Sequence, residues 1–292
     1  MSVDERDPHS GYKTTGHDWN GITELNTPVP RPVYVFLLIA FVVSVVYWVL
    51  MPAWPTGLSY TRGLLGLDQR TMVERDVAEA AAARAPWMEA IARTPVDEAL
   101  ADPALMARVR DTGSTLFGDN CAMCHGQNGA GAPGFPSLRD QVWLWGGAPD
   151  AIGETLRVGV NSGHADARVS QMPAFGRDQM LPQEDVRAVV AYVRSLSQAR
   201  SGAPAVTLTR GAGVFASACA SCHGAGGEGM QAMGAPDLTD DEWLYGGDAD
   251  TIFQTVWHGR QGVMPSWEGR LSAEQRRLLT LYLLDQQQAR TQ

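Results

Sequence analysis

The chain has 292 residues and a formal charge of −9, from 23 Lys and Arg against 32 Asp and Glu. That acidity excludes a general nucleic-acid binder and suits a basic partner surface through electrostatic steering. The four cysteines fall in two short stretches, so no thiol is left for any other use.

From the N-terminus, residues 1–32 are polar. Residues 33–51, "VYVFLLIAFVVSVVYWVLM", then run for nineteen positions without a charge. At about 1.5 Å per residue such a helix crosses a hydrocarbon layer of about 30 Å. Tyr34, Tyr47, Trp48 and Trp54 lie near its ends, where interfacial aromatics belong. The run is too long for a signal peptide, starts after 32 polar residues and is followed by no small-x-small site, so it reads as a retained anchor. Lys13 and Arg31 before it balance Arg62 and Arg70 after it, so charge does not orient it. Residues 68–110, rich in Ala and Arg, predict helices broken at Pro86 and Pro95.

Residues 121–126 read "CAMCHG" and residues 219–224 read "CASCHG". A zinc site would take ligands from both copies, or from one copy and distant histidines. A redox dithiol would need one copy and no adjacent His. Covalent c-type haem needs both features: two thiols for the vinyl groups and the next His as proximal iron ligand. The spacing favours haem, with Cys121, Cys124, Cys219 and Cys222 as attachment points and His125 and His223 on iron. A second iron ligand should follow each motif. Met172 lies 47 residues after His125, and Met264 lies 41 after His223, each preceding a Pro. Most methionines are core filler, but these two hold matching places in a repeat. His164, eight residues before Met172, and His258, six before Met264, are the rival distal ligands, and a Met crossing from one repeat to the other haem stays open.

The repeat extends well beyond the motifs. Gly113 and Phe117 precede the first at the offsets of Gly211 and Phe215 before the second, and "PSLRDQVWLWGG" (136–147) matches "PDLTDDEWLYGG" (236–247). Leu181 and Tyr192 match Leu271 and Tyr282. The pattern predicts an all-α fold: one N-terminal transmembrane helix followed by two tandem cytochrome c domains of the class I kind. Asp102 with Pro103 starts the first helix of the first domain. Val186, Val189, Val190, Val193 and Leu196 form one C-terminal helix stripe; Leu278, Leu281, Tyr282 and Leu284 form the other. Ser272 and Gln275 make a capping box. The glycines let the terminal helices of each repeat meet, Phe117 beside Tyr192 and Phe215 beside Tyr282. The expected segments are 1–32 cytoplasmic, 33–51 transmembrane, 52–101 connector, 102–197 first domain, 198–209 linker and 210–287 second domain.

Two further stretches carry a family likeness. "TTGHDWNGITELNTPVPRP" (14–32) and "YTRGLLGLDQR" (60–70), with the anchor and the two haem motifs, resemble the dihaem subunit called FixP or CcoP of cbb3-type cytochrome c oxidases. The likeness runs from residue 12 to about 287. It implies two covalent c-type haems, with Cys121, Cys124 and His125 on the first and Cys219, Cys222 and His223 on the second, and Met172 and Met264 as distal ligands. It also implies that Pro136 and Pro236 offer carbonyls to the proximal histidines. The implied role is non-catalytic: electrons come from a donor cytochrome c or the quinol-oxidising complex and pass toward a monohaem subunit and the haem–copper subunit. The N-terminus would be cytoplasmic and the haem domains periplasmic at a bacterial inner membrane. The alternatives are a free-standing anchored dihaem shuttle and a dihaem peroxidase or dehydrogenase subunit. Met at both distal positions opposes the last.

Overall fold

The computed structural model describes residues 5–197 and 202–291, with side chains to residue 288. They divide into two compact units, Met1–Ala83 and Arg84–Gln292.

In the first unit, strands β1 (Thr14–Trp19) and β2 (Ile22–Leu25) pair antiparallel, Thr14 opposite Leu25 and Trp19 opposite Ile22. Asn20 and Gly21 join them with φ of 56° and 89°, the conformation that two-residue hairpin turns require. The Asp18 carboxylate accepts from the Gly21 N–H at 2.6 Å. This hairpin is an addition to the all-α expectation, and its Asn-Gly signal was in the sequence. Helix α1 (Arg31–Leu50) follows, with Pro at its first turn and its apolar side chains, such as Leu38 and Phe41, exposed. At about 1.5 Å per residue its 20 residues reach about 30 Å. Near its middle, the Ser44 hydroxyl donates back to the Ala40 carbonyl at 2.8 Å, as a polar group in an apolar medium must. The end of α1 is closed by the connector: Leu64 and Leu65 N–H donate to the carbonyls of Val49 and Leu50 at 2.9 and 3.1 Å. Gly63, at φ 68°, permits that return, because a Cβ there would strike the Leu50 peptide. Trp48 and Trp54 meet at 5.0 Å between ring centroids.

Helix α2 (Gln69–Arg93) contributes residues to both units and runs through Pro86, so the break expected there does not occur. Pro86 is exposed, the residues before it are Ala-rich and strongly helical, and the turn after it is held by burial of Ile91. Pro95 does interrupt the helix, standing as N-cap of α3 (Val96–Ala101).

In the second unit, α4 (Pro103–Asn120) begins at Asp102, whose carboxylate accepts from the N–H groups of Ala104 and Leu105. After it come α5 (Ala122–His125), α6 (Pro149–Val158) and α7 (Gln183–Leu196). The second repeat supplies α8 (Ala205–Val214), continued by a π turn over Phe215–Cys219, then α9 (Ala220–His223), α10 (Ala249–His258) and α11 (Ala273–Thr291). Of the expected linker 198–209, residues 198–201 lie outside the described residues and residues 205–209 form the first half of α8. Ser272 and Gln275 cap α11 reciprocally, each backbone N–H donating to the other's side chain at 2.9 and 3.2 Å.

The C-terminal helix of each repeat packs on the other repeat. Helix α11 lies against α4 and α6, whereas α7 lies against α8 and α10. Phe117 meets Tyr282 at 5.8 Å and Phe215 meets Tyr192 at 5.4 Å, which corrects the pairing expected within each repeat. Two lobes result. One joins Phe117, Ala122, Ile152 and Leu156 to Trp267, Leu271, Leu279 and Leu283; the other joins Val186, Val189, Val190 and Val193 to Phe215, Ile252 and Val256. Helix α11 is buried on two faces, because Leu278 and Leu281 pack on Ile91, Ala99 and Val109 while Leu279 and Leu283 face the first lobe. The Arg277 guanidinium fastens it further by donating to the Ile91 and Thr94 carbonyls.

Gly211 marks the closest helix contact, since a Cβ there would stand 2.7 Å from the Tyr192 Cβ and collide with the Ala188 carbonyl. Gly211→Ala is expected to destabilise the protein by roughly 1–3 kcal/mol. Gly118→Ala, with open space around it, should be neutral or stabilise by up to about 1 kcal/mol. Denaturant midpoints of the haem-loaded protein check both.

Candidate haem-attachment sites

Both Cys-x-x-Cys-His motifs adopt one local structure. The first Cys is the N-cap of a single helical turn that ends at the His, and a glycine follows it, Gly126 at φ 78° or Gly224 at φ 81°. The chain then loops back, with Gly131 N–H donating to the His125 carbonyl at 2.8 Å and Gly229 N–H to that of His223 at 2.7 Å. At Gly131 a Cβ would stand 2.6 Å from the Phe135 carbonyl oxygen; at Gly229 one would stand 2.6 Å from Asp237 N. Glycine is therefore required at both returns.

The loop brings a proline carbonyl to each imidazole: His125 Nδ1 to Pro136 O at 2.9 Å and His223 Nδ1 to Pro236 O at 3.0 Å. A carbonyl only accepts, so each Nδ1 carries a proton, and in the neutral ring it is Nε2 that bears the lone pair. This is the tautomer an iron ligand needs. Burial holds His125 below the usual imidazole range, against the Pro136 bond that raises it. Burial, with the neighbouring Cys second, pushes the Cys121 and Cys219 thiols up to about 11. The four sulfurs are not gathered as a shared zinc site would need, because Cys121 borders one lobe's core and Cys219 the other's.

The methionines cross over. Met264 packs on the cluster that holds Cys121, Phe117 and Ala122, and Met172 packs on the one that holds Cys219, Ala220 and Phe215. Two reciprocal peptide pairs fix this. Val160 and Met264 exchange both N–H···O bonds at 2.9 Å; Met172 and Arg260 exchange theirs at 2.9 and 3.1 Å. Gly159 and Gly259, at φ 72° and 71°, allow the approach, since a Cβ on either would strike the carbonyl of Met264 or Met172. Their equal place in "RVGV" and "WHGR" was the sequence signal for them. Beside the pairs, the Arg168 guanidinium lies 5.0 Å over Trp145 and that of Arg260 lies 4.1 Å over Tyr245. These aromatics of the "WLWGG" and "WLYGG" stretches reach the opposite repeat, Trp145 touching Gly234 and Tyr245 touching Gly134.

The rival histidines are placed differently. His164 Nε2 bonds the Glu268 carboxylate at 2.7 Å and its Nδ1 accepts from the Asp166 N–H at 2.9 Å, so both nitrogens are engaged. His258 is exposed as the last residue of α10.

Known families match this arrangement along most of the chain. Residues 11–57 match the N-terminal domain of cytochrome oxidase-cbb3, FixP; residues 111–197 match cytochrome c; residues 206–283 match cytochrome C oxidase, cbb3-type, subunit III. The FixP subunit of the cbb3-type cytochrome c oxidase of Bradyrhizobium diazoefficiens is 45% identical, over 96% of each chain. The CcoP subunit of Azospirillum brasilense is 41% identical, over 97% of this chain and 98% of that one. This chain belongs to the FixP/CcoP family of cbb3-type oxidase subunits. It is a membrane-anchored cytochrome c subunit with an electron-transfer role, and its two cytochrome c domains carry c-type haems.

Gly259→Val is expected to break the Met172–Arg260 peptide pair at a cost of roughly 1–3 kcal/mol and to spare the Val160–Met264 pair. Gly159→Val should do the converse. Amide hydrogen exchange at residues 160, 172, 260 and 264 checks the pattern.

Proposed function

We propose that Cys121 and Cys124 bind one haem and Cys219 and Cys222 the other, with His125 and His223 as proximal ligands and the distal methionines exchanged between repeats. Met264 then serves the haem of His125, and Met172 serves the haem of His223. The observation that carries the reading is the pair of Nδ1-to-proline bonds, which leaves an Nε2 lone pair beside two thiols in each lobe. The Met positions in the two cores support the exchange. A c-type haem supplies one-electron chemistry when bound. The protein's part would be to hold each iron through its His and its Met, so that electron transfer would be favoured over oxygen or peroxide chemistry. The Pro136 and Pro236 carbonyls keep each imidazole oriented and basic, and the thioether keeps the potential above that of a second imidazole.

In the oxidase this chain takes electrons from a donor cytochrome c or the quinol-oxidising complex. It passes them toward a monohaem subunit and the haem–copper subunit. Residues 1–32 lie in the cytoplasm and the haem lobes in the periplasm, because thiols are joined to haem on the outer side of the membrane. The hairpin segment and α1 dock the chain to the membrane-embedded core through close helix packing.

The exchange is tested in a chain with Cys121→Ala and Cys124→Ala, which retains the haem of His223 alone. Adding Met172→His should remove the sulfur-ligation absorbance of the remaining ferric haem and lower its potential substantially; adding Met264→His should change neither. The reverse result would place each Met on its own repeat's haem.

A chain beginning near residue 56, exported with a cleavable signal, should carry both haems and accept electrons from reduced cytochrome c. It should fail to restore oxygen uptake to membranes lacking the full chain. Full restoration would mean that the anchor and hairpin have no part in docking.

A further inference from the structure

The two distal segments differ in length. Met172 follows Gly159 by thirteen positions, and Met264 follows Gly259 by five. The longer segment must be closed at its base if Met172 is to present its peptide to Arg260. Asn161 stands there, at φ 48°, a left-handed conformation that Asn tolerates better than most side chains. Its N–H donates to the Arg168 carbonyl at 2.7 Å. Its carboxamide then acts in two directions. Oδ1 accepts from the Ser170 N–H at 3.1 Å, and Nδ2 donates to the Ser170 carbonyl at 2.7 Å and to the Gly262 carbonyl at 2.7 Å. Two carbonyl acceptors fix which end of the amide is NH₂. Ser170 is two residues before Met172, and Gly262 is two residues before Met264. One side chain thus grips both methionine segments at the same offset.

We propose that Asn161 is a positioning residue for both haems: its carboxamide ties the Met172 and Met264 segments together, so that distal ligation in one lobe depends on the segment that serves the other. Its repeat counterpart, Gln261, is exposed, and Asn161 serves both segments from one side. The Val160–Met264 and Met172–Arg260 peptide pairs hold each methionine at its own residue. Asn161 holds the turn before it, which sets the direction of approach. Coupling of this kind is reciprocal: strain on one methionine reaches the other through the shared amide.

The proposal rests on the distal-methionine reading above, and the test separates the two. Full-length, haem-loaded protein is titrated with imidazole in the ferric state while the sulfur-ligation absorbance of each haem is followed, alongside redox midpoints. Asn161→Gly keeps the backbone conformation and deletes the three side-chain bonds. It should lower the imidazole concentration that displaces methionine by about tenfold at both haems, as the loss of one to two net hydrogen bonds per segment implies. Asn161→Asp keeps an acceptor for the Ser170 N–H but cannot donate to Gly262, so the haem served by Met264 should remain as weakened as in Asn161→Gly. Gly163→Ala, in open space in the same loop, should behave as wild type. An unchanged imidazole response, or a change at one haem alone in Asn161→Gly, overturns the proposal even if the melting temperature falls. Absence of the sulfur absorbance in the unsubstituted protein overturns the distal-methionine reading and this proposal with it.

Discussion

The two reciprocal peptide pairs, Val160 with Met264 and Met172 with Arg260, are the constraint on which the haem-bearing unit depends. Each is a short piece of antiparallel ladder between segments about one hundred residues apart, made possible by a glycine with positive φ next to it. Once the segments cross there, everything downstream is committed. Met172 and α7 must finish the second lobe, and Met264 and α11 must finish the first. The chain thus builds the second lobe as one continuous stretch inserted into the first.

That topology makes the lobes interdependent. In a tandem arrangement of independent domains, loss of one core would leave the other intact. Here Trp267, Leu271, Leu279 and Leu283 from the second repeat complete the core around Phe117 and Ala122 of the first. The seam is also chemically distinct from the cores. It carries guanidinium groups laid over aromatic rings, Arg168 on Trp145 and Arg260 on Tyr245, where the cores are closed mainly by apolar side chains such as Phe117, Leu279, Val189 and Phe215. The Arg168 guanidinium also donates to the Ala151 carbonyl at 3.1 Å, while its Nε is buried with no hydrogen-bond partner among the described residues.

The membrane-proximal unit solves a separate problem. A helix leaves its last carbonyls without intrahelical partners. The connector residues Leu64 and Leu65 return to supply the missing donors, and Gly63 is the hinge that lets them do so. The stretch "YTRGLLGLDQR", legible as a family likeness, thereby acquires a physical role.

By itself the sequence determined that the chain is a c-type haem protein with a candidate anchor, through two Cys-x-x-Cys-His motifs with no spare thiol and an uncharged span long enough for a membrane. It also determined the capping of α4 by Asp102 and of α11 by Ser272 and Gln275, because caps are local and depend on residues within one turn. The hairpin at Asn20-Gly21 was equally local and legible. Tertiary structure alone decided which methionine faces which motif. Gly113, Phe117 and Tyr192 are repeated as Gly211, Phe215 and Tyr282, so the two copies offer the same contact surfaces, and either pairing satisfies the pattern. Chain connection breaks that tie: eight residues separate α7 from α8, which favours packing these neighbours together over sending α7 back to α4. The same reason hid Asn161. Its three partners sit on two segments far apart in sequence, and only the crossing brings them to one carboxamide.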